Sequence, residues 1–381
     1  MILIKYKLGD LISRSELKNK DEKYNSSNVK GISINKCFAS TKADAENINL
    51  KSFKIVKPNY FAFNTATSRN GEKISIAFNN SEETYIVSSL YDVFYLNDYG
   101  KSVLDETFLY MYFNRSEFDR YARNDSWGSA REYFRYSNMC DVELVLPPKE
   151  IQLKYVNIYK NMVNNQKLYE NGLSDLKLVC DGYLDKIKNS RKLVPIGNYI
   201  KLIDNRNSNN DKYKFKGLSM ENYFIDSIAN EVGIDFSKYK IVKPNEFACV
   251  LMKVGRDCRL TVAKNNSNEN YIISPAYYTF EVNNIDHDFF MSYINRSEFE
   301  RRAWFSCDTS LRGSLAWGEF CNLKIPEATT EQQEVISNIY DVIICRSEIN
   351  DKLKTIIKDI CPLLIKGALE EAEIGDDANY E

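Results

Sequence analysis

Apolar positions follow two different periods along this chain, and the two periods alternate twice. Short runs rich in Ile, Val, Phe, Tyr and Thr, such as EKISIAF, TYIVSS, RLTVA and NYIISPAYYTFEV, are broken by clusters of Asn, Gly and Asp. That is the pattern of strands and turns. These runs fill about 8–147 and 196–327, where ETFLYMYFNRSEFDRYAR and its later partner have helical spacing. Each such region is therefore predicted to be mixed α+β. A different pattern follows each one. Tyr155, Tyr159, Met162, Gln166, Tyr169, Leu173, Leu176, Cys180, Tyr183 and Ile187 step by four and three. Val335, Ile339, Val342, Arg346, Ile349, Leu353, Ile356, Ile360 and Leu363 do the same. A seam kept over several heptads predicts long helices that pack on each other. Gln166 and Arg346 are its polar members, of the kind that fixes register. Pro147-Pro148 suits the start of the first helix, Pro362 is expected to end or kink the second, and Gly172 weakens the first by ~1 kcal/mol relative to Ala.

The alternation is a tandem duplication. FKIVKPNYFAF returns as YKIVKPNEFAC and NNSEETYIVSSLYDVF as NNSNENYIISPAYYTF, both displaced by 186 residues. Gly9 matches Gly197, and NRSEF at 114–118 returns at 295–299 with a displacement of 181 that then holds for Cys140 and Cys321. In NRSEF the Phe is expected to anchor a helix whose Arg and Glu face solvent. The predicted fold class is α+β: a duplicated α/β module plus long helix, the two helices packed as an antiparallel coiled coil. The predicted boundaries are 1–147 for the first module, 148–189 for its helix, 190–328 for the second module, 329–370 for its helix, and 371–381 for an acidic tail.

Composition excludes more than it suggests. No apolar run reaches the ~18–20 residues of a membrane span. Nine cysteines without a CxxC pair fit free thiols in a reducing cytoplasm. With His287 the only histidine, no Cys/His metal site or histidine-based catalysis is expected, and no cofactor. His287 itself is expected to be structural. Neither GxxxxGK[ST] nor GxGxxG occurs, and the Asn/Asp-Pro-Pro-aromatic motif of an amino-methyltransferase is missing, so the chain is not expected to be an enzyme. Net charge is −2, yet the six acids after Leu369 account for this, and residues 1–369 carry +4.

Two related modules therefore share a scaffold but differ in their loops. NTATSRNGEK at 64–73 occupies the place of VLMKVGRDCR at 250–259. Asn64, Thr67, Ser68, Arg69, Asn70 and Lys73 in the first, and Lys253, Arg256 and Arg259 in the second, have the side chains that read base edges and hold phosphates. Arg131 and Arg312, equivalent in SAR and SLR, are candidates for phosphate contact or an internal ion pair. A pair of ordinary polar hairpin loops is the alternative.

The chain resembles the specificity (S) subunits of type I restriction–modification systems over about residues 1–370. The match is carried by SPAY at 274–277, SLRGSLAW at 310–317 and IPEATTEQQEVI at 325–336, with SSLY, SAREYF and LPPKEIQLKYV as first-copy echoes. The resemblance implies two target-recognition domains, each reading one half of a split, asymmetric double-stranded DNA site, and two antiparallel helical spacers. It also implies docking of two modification (methyltransferase) subunits, joined by restriction subunits. The family's Leu-Pro-Pro-Leu-x-Glu-Gln is degraded here to LPPKEIQ and PEATTEQ, which obscures where the first helix starts. Rival readings are the recognition subunit of a combined restriction–methylation enzyme, and a two-module scaffold that binds no DNA.

Overall fold

The apolar residues of each repeat close into the same four-stranded antiparallel sheet. In the first repeat the order is Ile12–Arg14, Tyr91–Leu96, Phe61–Asn64, Ile76–Phe78. In the second it is Ile200–Ile203, Tyr278–Val282, Phe247–Val250, Thr261–Lys264. Registers agree as well, with Phe61 opposite Phe94 and Phe247 opposite Phe280. Phe61 stacks between Phe94 and Phe78 at 5.1 and 4.7 Å, and Phe247 lies on Phe280 at 5.4 Å. These rings are buried and seed the two main cores.

The structure is a computed structural model that describes residues 3–40, 49–67, 73–126, 132–227, 233–252, 254–308 and 313–377. The chain divides into two compact units, one formed by Met1–Leu168 with Asn350–Glu381 and the other by Tyr169–Ile349.

The repeated peptides mark identical turns. Asn59 and Asn245, in KPN, take φ of 65° and 64°, a left-handed conformation that asparagine tolerates. Each donates its N–H to the carbonyl of Asn79 or Asn265, at 2.8 and 2.9 Å. Gly9 and Gly197 recur because their backbones lie against Cys140 and Cys321. A Cβ on either glycine would sit 2.8 or 3.0 Å from the cysteine Cβ. NYIISPAYYTFEV, read as one strand, is two strands, Tyr271–Ile273 and Tyr278–Val282, with SPAY as the turn between them. Likewise the helical stretch around NRSEF breaks at Asn114-Arg115 into Glu106–Phe113 and Ser116–Asn124.

The long helices run Lys149–Ser190 and Thr330–Asp377. In the first unit Lys154 meets Glu371 at 2.7 Å, and Gln166 Nε2 donates to Asn350 Oδ1 at 2.9 Å. In the second, Arg346 lies over the Tyr169 ring at 5.4 Å and Arg191 bonds Gln332 at 3.1 Å. Numbers rise along one helix as they fall along the other, so the helices are antiparallel within each unit.

The seam of the first helix holds at Tyr155, Tyr159, Met162, Gln166, Tyr169, Leu173 and Leu176, all buried or half-buried; farther on, Leu184 replaces the exposed Tyr183. In the second helix half of the expected seam is displaced by one residue. Val342, Ile349 and Ile356 are exposed, as are Val335 and Leu363, while Ile343, Asn350 and Leu364 are buried; Arg346, Leu353 and Ile360 keep their half-buried places. At the middle of the helix the reason is the Gln166–Asn350 pair. A buried amide needs a partner, so the polar Asn350 turns inward and its apolar neighbour Ile349 turns outward. Nor does Pro362 end the helix. The missing N–H and ring clash cost ~3 kcal/mol. Burial of Cys361, Leu364, Ile365, Ala368 and Ala372 around it offsets that cost.

Candidate nucleic-acid interface

In both units the candidate loops connect an inner strand of the four-stranded sheet to its antiparallel edge neighbour. Residues 65–75 join Phe61–Asn64 to Ile76–Phe78, and residues 251–260 join Phe247–Val250 to Thr261–Lys264. Each hairpin is zipped to the loop that carries SAR or SLR. In the first unit Phe134 N donates to Thr65 O at 2.9 Å and Thr67 N to Glu132 O at 3.0 Å. In the second, Leu315 N donates to Leu251 O at 2.9 Å and Gly255 N to Gly313 O at 2.7 Å. The structure thus brings together two segments that are far apart along the chain.

Ser68, Arg69, Asn70, Arg131, Lys253 and Arg312 lie outside the described residues. The others divide by role. Asn64 Oδ1 accepts from Ala66 N at 3.1 Å and shapes the start of the hairpin. Thr67 is buried and its hydroxyl donates to Glu132 O at 3.2 Å, so it clips the two loops together. Lys73 is exposed. Arg256 and Arg259 are half-exposed, each with a carboxylate partner: Asp257 at 2.7 Å and Glu300 at 3.4 Å.

Behind each hairpin is a brace. Asp119, on the helix after NRSEF, accepts from Ile74 N at 3.2 Å and pairs with the buried Lys36 at 2.8 Å. Lys36 also donates to the Phe113 carbonyl. Burial pushes the Lys36 ammonium below its ordinary pKa, and the hydrogen bond and charge of Asp119 oppose that shift. Glu300 is the second-repeat equivalent of Asp119, and Arg259 that of Lys73.

The NRSEF peptide does more than anchor a helix. Phe118 and Phe299 are buried as expected. Arg296, however, is not on a solvated face. It binds Asp181 and Asp185 of the first long helix at 3.0 and 2.6 Å, and Glu298 binds Lys188 of that helix at 2.6 Å. In the first unit the positions equivalent to Asp181 and Asp185 are Pro362 and Lys366. There Arg115 lies over the Tyr112 ring at 3.9 Å instead.

Two further residues were missed. Gln152 Oε1 accepts from Asp105 N at 3.0 Å, and Gln333 Oε1 from Asp286 N at 2.7 Å. Both aspartates cap a short helix, so these amides fix each module to the start of a long helix. Their displacement of 181 was a visible signal, hidden by matching Gln332 to the family motif. His287 approaches the Val282 carbonyl at 2.9 Å and meets the edge of Phe247, a structural role. Among the described residues no helix is long and apolar enough to cross a membrane, and no group of three or more His, Cys, Asp or Glu is placed to hold a metal ion.

No family model and no curated protein matches the chain. Solved structures do. A type I restriction–modification system S subunit from M. genitalium aligns with 97% of this chain and 96% of its own, at a TM-score of 0.52 and 13% identity. Two other alignments are looser. A structure concerned with assembly and conformational transition of the type I R-M system covers 95% of this chain and 97% of its own (TM-score 0.45, 12% identity). The HsdS subunit from Thermoanaerobacter tengcongensis covers 96% of each chain (TM-score 0.36, 13% identity). The chain has the fold of a type I restriction–modification S subunit.

Proposed function

We propose that this chain is the sequence-reading subunit of a type I restriction–modification complex. The modules at 1–147 and 190–328 each read one half of a split duplex DNA site. Methylation and cleavage belong to its partners, two modification subunits and the restriction subunits that join them. The observation that carries this reading is the pair of zipped loops in each unit. The zip starts alike in both repeats, at the equivalent Phe134–Thr65 and Leu315–Leu251 hydrogen bonds, while the loops beyond it differ in side chains and in the short helix Val254–Asp257 of the second. A shared scaffold with unlike tips is what an asymmetric two-part site requires, because phosphate contacts position a protein and side chains at base edges specify sequence. Likeness of fold to the M. genitalium S subunit supports it.

The test is selection from randomised duplex DNA by the chain assembled with its modification subunits. Two short specified blocks separated by an unspecified gap are expected. Exchanging residues 64–73 for those of a relative should change one block only. A single contiguous block, or no enrichment over random DNA, overturns the reading in favour of a scaffold that binds no split site.

A further inference from the structure

Resting on that DNA-reading function, we propose that Arg256 reads a guanine in the half-site of the second module, and that Asp257 is the positioning residue that aims it. A guanidinium offers two edges for paired hydrogen bonds, one through Nε and one Nη, the other through both Nη atoms. Asp257 takes the first: Arg256 Nε donates to Oδ1 at 2.7 Å and Nη2 to Oδ2 at 3.1 Å. Among the described residues no further hydrogen bond is made to the end-on edge, which suits a ligand with two acceptors. In the major groove that ligand is guanine, through O6 and N7.

The backbone beside Arg256 is closely packed. The preceding residue, Gly255, donates to Gly313 O at 2.7 Å and accepts from Trp304 Nε1 at 2.9 Å. The two glycine backbones are so close that a Cβ on Gly255 would lie 2.8 Å from the Gly313 Cα. Gly313 itself has φ of 56°, a left-handed conformation. Arg256 is thus 56% exposed, with its guanidinium paired to Asp257 and its backbone next to a residue hydrogen-bonded through both N–H and carbonyl. An arginine held in this way loses little freedom when it meets a base.

Arg259 has the opposite character. One nitrogen approaches Glu300 at 3.4 and 3.5 Å, and Glu300 is buried. Leaving would strand a buried carboxylate, so Arg259 stays with its acid and braces the hairpin.

The experiment is selection and binding with the full complex, comparing wild type, Arg256→Ala and Asp257→Asn. Wild type should specify a G·C pair at one position of the second half-site. Arg256→Ala should erase that preference. Asp257→Asn should weaken it about tenfold while the other positions and the first half-site stay as they were, which also shows that the variant is folded. Equal tightening of cognate and random duplexes by Asp257→Asn would make Asp257 a competitor of DNA and end the assignment. Loss of every position in the second half-site would reduce it to a structural role, and survival of the G·C preference in Arg256→Ala would show that Arg256 reads no base. If wild type selects no split site at all, the DNA-reading function fails and this inference with it.

Discussion

Lys36 and Asn222 occupy the same turn of the two repeats, with φ of 60° and 66°, yet they brace the candidate hairpin by different chemistry. Lys36 acts through a charge, pairing with Asp119, which in turn holds Ile74 N. Asn222 acts through a neutral amide, accepting from Val262 N at 3.0 Å and donating to Asn295 Oδ1 at 2.6 Å. Because Asn222 needs no counter-ion, Glu300 is released to hold Arg259. One backbone thus supports two wirings, and they differ in what is left behind when a partner is removed. The first strands a buried charge; the second loses a hydrogen bond.

The largest test of this difference is Asp119→Ala. It should destabilise the first unit by about 3–5 kcal/mol, whereas Asn222→Ala should cost the second about 1–2 kcal/mol. Denaturant-dependent hydrogen exchange, read separately in each unit, measures both, and equal costs would erase the contrast. The next effect contrasts the long helices. Pro362→Ala should stabilise by about 3 kcal/mol, since it restores a backbone donor inside an unbroken helix. A smaller or negative change would mean that the ring has been accommodated by local packing. Third comes the attachment of modules to helices. Arg296→Ala should cost about 2 kcal/mol and lose sensitivity to salt, while Arg115→Ala, which removes contact with Tyr112 and no carboxylate pair among the described residues, should cost about 1 kcal/mol or less. Melting in low and high salt separates the two. Fourth, Gly172→Ala should stabilise by about 1 kcal/mol, because a Cβ there would sit 3.7 Å from Arg346, an ordinary contact.

The smallest effect is acid release of the second module. Hydrogen bonding to Lys188, with the charge of Arg302, holds the Glu298 carboxyl below its usual pKa of 4.5 despite desolvation. With the folded value depressed, its stabilisation is present above 4.5 and is lost as pH falls through the folded value. The expected contribution is under about 1 kcal/mol. A carboxyl titration by NMR with its midpoint at or above 4.5 would contradict the pairing.

Repetition made the architecture legible. Strand runs, turns and both helices could be read from the sequence because each pattern appears twice with near-constant displacement. What failed were choices between adjacent residues. Ile349 outranks Asn350 on any hydrophobic scale, yet a buried amide on the partner helix, Gln166, reverses the order. Arg296 looked solvent-facing because its acids lie more than a hundred residues away in sequence. At the interface, loop composition pointed to Lys73, Arg256 and Arg259, but not to the carboxylates beside the two arginines. The clip at Thr67 was not legible either, because its partner, the Glu132 carbonyl, is a backbone atom that leaves no mark in sequence.

The first core draws Cys361, Leu364, Ile365, Ala368 and Ala372 from the last helix, whereas the second is drawn from residues between Leu173 and Ile343. On the ribosome this inverts the order of completion. The repeat made first waits for the final turns of the chain, roughly 10–40 s at ~5–20 residues per second, with its stacked phenylalanines incompletely covered. The repeat made second closes before it. Premature termination near residue 350 would therefore damage the amino-terminal module and spare the one beside the break.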